Sequence, residues 1–322
     1  MSTEVEPRHV MSDTDEAKHK LLSLTVWVLL LCVAIECLSV ELRTHRRVSL
    51  DTSRGVDNVL SIRRRADYTQ VAIVGNSLVY EGLSEQVLRG EMGDHVGVET
   101  AGVPGSTYYD WEYGLRALLA RGSEPDVIVF GISPSQFLRT PIVTALPVSE
   151  LWRSRDIYSY YRDWHPNPTT VADLLLEHYS TFFSMRDTFR IYGRKRIYGY
   201  ESMVHEWGTT GMATDAVVSS DAALETTFVQ RIASLKLECG THARLVLIIV
   251  PTRQVGDESE EPALRAAALR LGVPVIEPVG EREWPPSKFQ ADGYHLTTAA
   301  AGEFSVLAGE KLAQILATPV SR

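Results

Sequence analysis

The chain has 322 residues, room for a tail and one large domain or two modest ones, and its hydrophobic (44%) and charged (23%) fractions are those of an ordinary globular protein. Asp and Glu (41) outnumber Lys and Arg (32), and the net charge of -9 excludes general nucleic-acid binding, because most of the surface would repel phosphate. Two of the three cysteines, Cys32 and Cys37, lie in one apolar run, which leaves Cys239 as the remaining thiol; with no C-x-x-C, H-E-x-x-H or acidic calcium loop, neither a structural metal nor a cofactor is expected.

Residues 1–20 are polar and of mixed charge and read as a disordered tail. The next twenty, LLSLTVWVLLLCVAIECLSV (21–40), are long enough at about 1.5 Å per residue to cross a hydrocarbon core of about 30 Å. Glu36 is the segment's one charge, four residues from its end, where it can reach the interface or pair with a partner. A buried core helix would be shorter and less uniformly apolar. A cleaved signal peptide would need a small-x-small site, and a lipoprotein would want small residues before Cys37 where Ile35-Glu36 stand. A single uncleaved anchor in the lipid bilayer is therefore expected. Arg8, Lys18 and Lys20 on one side nearly balance Arg43, Arg46, Arg47 and Arg54 on the other, so charge does not orient it. Residues 41–69, rich in arginine and poor in apolar periodicity, read as a solvated basic connector to an α/β domain over 70–322.

VAIVGNS (71–77) is an apolar run that ends in a Gly-Asn-Ser turn and continues amphipathically with Leu83, Val87 and Leu88, so a buried strand feeds a helix. Ligands of open α/β sheets bind beyond the carboxyl ends of the strands, and Ser77 stands there; a serine at such a turn can equally do no more than cap the helix. HVGVETAGVPGST gives a second strand and turn, and Trp111, Leu115, Leu118 and Leu119 a helix stopping near Gly122. PDVIVFGISPS (125–135) is a third strand, apolar enough to be buried on both faces.

The alternation then breaks into an insertion over about 136–222. Between Trp152 and Trp207 lie 13 of the chain's 27 aromatic residues and eight Arg or Lys, with no clear strand. The segment is a helical insertion with aromatic core positions, or a lid whose aromatic faces and arginines suit sugars and anionic groups. Regular alternation resumes with Phe228, Ile232 and Leu235 on a helix, RLVLIIVPT (244–252) as a fourth strand, a helix ended by Gly272, and VPVIEPV (273–279) as a short fifth strand. A last helix presents Phe304, Ala308, Leu312 and Ile315 on one side. The expected fold is α/β: a flavodoxin-like, doubly wound, parallel five-stranded sheet with right-handed crossovers.

Acyl transfer through a serine needs a base within reach of the hydroxyl, a carboxylate to orient the base, and donors aimed at the oxyanion. Asp292-Gly-Tyr-His295, the one Asp-x-x-His of the chain, supplies acid and imidazole in a loop that returns to the sheet edge bearing Ser77. Gly75-Asn76-Ser77 after the first strand, Gly102-x-x-Gly105 after the second and Asp292-x-x-His295 before the last helix together resemble the SGNH hydrolases, also called the GDSL family. The resemblance covers about 68–135 and 223–318. It implies the SGNH hydrolase fold, with Ser77 as nucleophile, His295 as general base and acid, Asp292 orienting it, and the Gly105 N–H in the oxyanion hole. Asn76 stands where the family usually has Asp. Gly131-Ile132-Ser133 stands where Gly-x-Asn supplies a second oxyanion donor, so either the Ser133 hydroxyl replaces it or the hole relies on the N–H groups of Ser77 and Gly105. Val79 breaks the Gly-x-Ser-x-Gly elbow of the α/β-hydrolases, and 71–82 contains neither G-x-G-x-x-G nor a P-loop, which disfavours nucleotide binding.

An anchor joined to such a domain is similar to the membrane-tethered SGNH proteins of bacterial envelope acylation. That resemblance implies a domain on the extracytoplasmic side, an acylated polysaccharide or acyl donor as substrate, and a membrane-bound O-acyltransferase as partner. The reading is a serine O-acetyltransferase or esterase acting through an acyl-serine. The alternative is a catalytically degenerate SGNH fold that binds a glycan or that partner.

Overall fold

Val71, Ala72, Ile73 and Val74 have no exposed face, each at most 1% accessible, and form the centre of strand β1 (Thr69–Gly75). A strand so buried must be interior to its sheet. It pairs in parallel with β2 (Val96–Gly102) on one side and β3 (Val127–Ile132) on the other. Beyond β3 come β4 (Arg244–Ile249) and β5 (Val275–Ile276), giving a fully parallel sheet in the order 2-1-3-4-5. The expected flavodoxin-like sheet is the observed one, with β5 reduced to two residues. The structure, a computed structural model, describes residues 13–44, 51–138, 151–186, 189, 221–253, 257–278 and 284–317.

Side chains alternate between two cores, as strand periodicity demands. Ala72, Val74, Ile128, Phe130, Leu245 and Leu247 face one layer; Val71, Ile73, Val127, Val129, Val246 and Ile248 face the other. The first layer holds α5 (Tyr108–Ala120), α9 (Asp221–Cys239) and α10 (Asp257–Arg270), contributing Trp111, Leu115, Phe228, Ile232 and Leu264. The second holds α3 (Ser77–Gly82), α4 (Glu85–Met92) and α11 (Thr298–Ala317), contributing Leu78, Leu88, Phe304 and Leu312. The topological switch between β1 and β3, where crossovers leave to opposite faces, lies at Ser77.

Two boundaries differ from those expected. Helix α1 (Asp13–Thr44) extends beyond the apolar run at both ends, so residues 13–20 are helical and not part of a disordered tail; Lys20 pairs with Glu16 one turn back. Within it, Glu16–Leu42 is long and apolar enough to cross a membrane. The basic connector is not wholly solvated either: α2 (Asp51–Ser61) packs on β2, with Val56, Val59 and Ile62 buried. That stripe recurs every three residues along the inner face, while arginines outside it dominate the composition.

Of the insertion, α6 (Pro134–Leu138), α7 (Ser154–Trp164) and α8 (Pro168–Tyr179) are described. Leu151, Trp152, Ile157 and Tyr160 are core residues, with Trp152 4.8 Å from Tyr113 of α5 between ring centroids. Among the described residues, no hydrogen bond or ring contact joins 151–186 to Ser77, Asp292 or His295. This part of the insertion packs on the flank of α5.

Candidate active site

Ser77 is displayed by a turn that only glycines permit. β1 ends at Gly75 beside Gly131 of β3, and a Cβ on Gly75 would collide with the Gly131 carbonyl oxygen and the Val79 side chain. Without those methyls α3 starts directly over the sheet edge. Asn76 caps it: Oδ1 accepts the Leu78 N–H at 2.9 Å, which assigns Nδ2 as donor, and Nδ2 reaches Gln136 Oε1 at 2.5 Å. The capping explanation for this turn is thus met by Asn76, and the Ser77 hydroxyl is left for other work.

The partner of that hydroxyl comes from 218 residues away: His295 Nε2 lies 2.8 Å from Ser77 Oγ. Its loop is closed by an antiparallel bridge between Phe289 and Leu296 and by Gln290 N–H donating to the His295 carbonyl at 2.7 Å. Gly293, at φ 65°, makes the reversal, and its carbonyl accepts from Arg253 N, four residues beyond β4. Tyr294, 7% exposed, roots the loop in the core and sets its ring edge-on to the imidazole at 4.7 Å.

Asp292 fixes the imidazole from behind. Oδ2 is 2.7 Å from His295 Nδ1, while Oδ1 accepts the N–H groups of Tyr294 (2.8 Å) and His295 (3.0 Å). Partial burial pushes this carboxyl's pKa up, but the bonds from the imidazole and the two amides outweigh it and hold Asp292 below the usual carboxylate range. An ionised Asp292 can only accept, so Nδ1 carries the proton and Nε2 faces Ser77 as an acceptor. In this arrangement the imidazole can accept the proton of the serine hydroxyl.

The two other expected residues lie in the neighbouring turns. Gly105 takes φ 80°, where a side chain would be strained, and its turn is tied to β1: Val103 N–H donates to the Gly75 carbonyl at 2.8 Å, and Ser106 Oγ to the same oxygen at 3.3 Å. Neither the Gly105 nor the Ser77 N–H has a hydrogen-bond partner among the described residues. Ser133 is fully buried at the start of α6; its carbonyl accepts from Phe137 N and its hydroxyl lies 3.3 Å from Ser135 Oγ. Sequence reasoning missed Gln136, one helical turn beyond Ser133, which joins the third turn to the first through Asn76. It also missed Ser106, whose hydroxyl receives the Trp111 Nε1–H at 2.9 Å. Spacing from Ser133 is the only trace Gln136 leaves, and adjacency to Gly105 the only one Ser106 leaves.

No protein-family profile and no curated protein matches the chain. Solved structures do resemble it in fold. TesA matches at 15% identity over 76% of this chain and 98% of that one, with a TM-score of 0.39. A Clostridium thermocellum family 3 carbohydrate esterase matches at 10% over 78% and 100%, TM-score 0.41. A protein from Slackia heliotrinireducens assigned as an SGNH hydrolase matches at 12% over 77% and 99%, TM-score 0.38. By their names, two of these are an SGNH hydrolase and a carbohydrate esterase, at a distance where the chemistry has to be read from this chain's own side chains.

Proposed function

We propose that the protein is a membrane-anchored serine acyl-ester enzyme, an O-acetyltransferase or esterase acting on a cell-envelope or secreted polysaccharide. The observation that supports this is the hydrogen-bonded chain Ser77–His295–Asp292, with His295 Nε2 2.8 Å from Ser77 Oγ and Nδ1 2.7 Å from Asp292 Oδ2.

In the proposed reaction the Ser77 O–H proton passes to His295 Nε2 as Oγ bonds the acyl carbonyl carbon. The oxyanion of the tetrahedral intermediate is met by the N–H groups of Ser77 and Gly105. Collapse breaks the bond to the departing alkoxide, which takes the proton from His295, leaving an acyl-serine. Water or a sugar hydroxyl then gives its proton to His295, attacks the acyl carbon and expels Ser77, which recovers its proton. Asp292 stays ionised and holds the imidazolium that forms in each half-reaction. Hydrolysis and transfer share every step but the acceptor.

Support for a glycan comes from the exposed aromatic rings of α7, Tyr158, Tyr161 and Trp164; Trp164 packs edge-on to Tyr109 at 4.5 Å, in the first turn of α5 after the Gly105 turn. The polysaccharide, a membrane-bound O-acyltransferase as partner and an extracytoplasmic domain rest on the resemblance of the motif set to tethered envelope acylation proteins.

A fluorophosphonate probe is expected to label the protein, and Ser77→Ala to abolish labelling. Labelling that survives the substitution overturns the assignment. Release of acetate from an aryl acetate, measured with and without an oligosaccharide acceptor, then separates hydrolysis from transfer.

A further inference from the structure

A carboxylate within the spanning helix is costly unless it is paired. Glu36 of α1 is met by three donors from the turn after α8: Ser180 Oγ at 2.7 Å, Thr181 N at 2.5 Å and Phe182 N at 3.2 Å. Ser39, one turn on, is 2% exposed. Groups hydrogen-bonded to a spanning helix share its depth, and Glu36 lies about 6 Å of helix rise before the end of the apolar run at Val40. The turn 180–182 therefore sits where hydrocarbon gives way to headgroups.

The residues flanking that joint are apolar and uncovered. Leu175, Leu176, Tyr179 and Phe182 are 42%, 41%, 68% and 37% exposed, and the first three form one face of α8 at i, i+1 and i+4, opposite buried Leu174 and Glu177. Beside them α1 is just as bare at Leu38 and Val40. The apolar surface thus runs from the anchor onto the insertion.

We infer that the C-terminal half of α8 and its following turn are a membrane-interface element: Leu175, Leu176, Tyr179 and Phe182 enter the headgroup region of the bilayer that α1 spans. Aliphatic side chains with an amphipathic ring suit that depth. With Glu36 as the joint, the α/β domain is held in one attitude on the membrane and does not swing on a flexible tether. The inference rests on α1 as a span and is independent of the chemistry at Ser77.

The test uses the full chain with Cys32→Ala and Cys37→Ala, reconstituted in phosphatidylcholine nanodiscs. Single cysteines at Leu175, Tyr179, Trp27 and Leu269, which is 81% exposed on α10, carry bimane; buried Cys239 stays unlabelled in folded protein. Labels at Leu175, Tyr179 and Trp27 are expected to lose fluorescence to doxyl-labelled lipid and to resist aqueous iodide, with Leu269 behaving oppositely. Adding Glu36→Ala is expected to open Tyr179 to iodide. Lipid quenching at Trp27 with iodide quenching at Leu175 and Tyr179 leaves the span standing and overturns the interface element. Iodide quenching at all four positions overturns both. Shielding of Leu175 and Tyr179 from both quenchers means that protein covers the face, and also overturns the inference.

Discussion

Asn76 donates to Gln136 across 60 residues, with both side chains at most 5% exposed, so the turn carrying Ser77 is bolted to the turn that follows β3. Gln136→Leu leaves a buried amide without its acceptor, which costs about 1–3 kcal/mol. A lower Tm is expected, and a fall in kcat for aryl acetate hydrolysis with KM unchanged, because Asn76 no longer fixes the start of α3. Gln136→Glu keeps an acceptor for Asn76 and is expected to restore much of kcat. Equal kcat in wild type and Gln136→Leu would show that the bridge only stabilises.

Asp292→Asn keeps the size of the side chain and removes the acceptor that holds the Nδ1 proton of His295. The imidazole can then present a protonated Nε2 to Ser77. A loss of about 10⁴-fold in kcat is expected from the tautomer alone. Circular dichroism should be unchanged, while fluorophosphonate labelling slows in step with hydrolysis. A loss of tenfold or less would mean that the imidazole is oriented by something other than this carboxylate.

Much of this site is legible in the chain because each part is local. VAIVGNS announces strand, turn and serine; Asp292 and His295 lie three apart; the apolar runs fix five strands and hence the edge where these residues meet. Contacts between distant elements leave no such trace. Gln136 matters through Asn76, and Glu36 through Ser180, 144 residues away. α2 is hidden because Val56, Val59 and Ile62 are few beside the neighbouring arginines. Their burial depends on Gly55, which lets the helix lie on the backbone of Thr100 and Ala101.

Asp292 also links stability to pH. Partial burial raises its pKa, but the bonds from His295 and Tyr294 win, so the folded value lies below the unfolded one of about 3.9. A depressed carboxyl stabilises fully above the unfolded value, and that contribution is lost as pH falls through the folded one. The denaturant-midpoint difference between wild type and Asp292→Asn is therefore expected to be constant from neutral pH to about 5 and to shrink below about 4. A difference independent of pH down to acid would mean that Asp292 gains nothing from its charge in the fold.

Gly75 tests whether backbone approach, and not side-chain chemistry alone, makes the site. Its missing methyl is what lets β1 and β3 end side by side under Val79, with Ser77 two residues on. Gly75→Ala places a Cβ against the Gly131 carbonyl, which is backbone and cannot rotate away. Overpacking of this kind costs about 1–3 kcal/mol. Relief requires the start of α3 to lift, carrying Ser77 away from the pinned His295 loop. The expected variant is folded with a lowered Tm and loses far more fluorophosphonate labelling than Val79→Ala, which relieves the same crowding. The double variant Gly75→Ala/Val79→Ala should recover stability but little labelling, because the collision with the Gly131 oxygen remains. Wild-type labelling in Gly75→Ala would show that the turn at Ser77 adapts without this close approach.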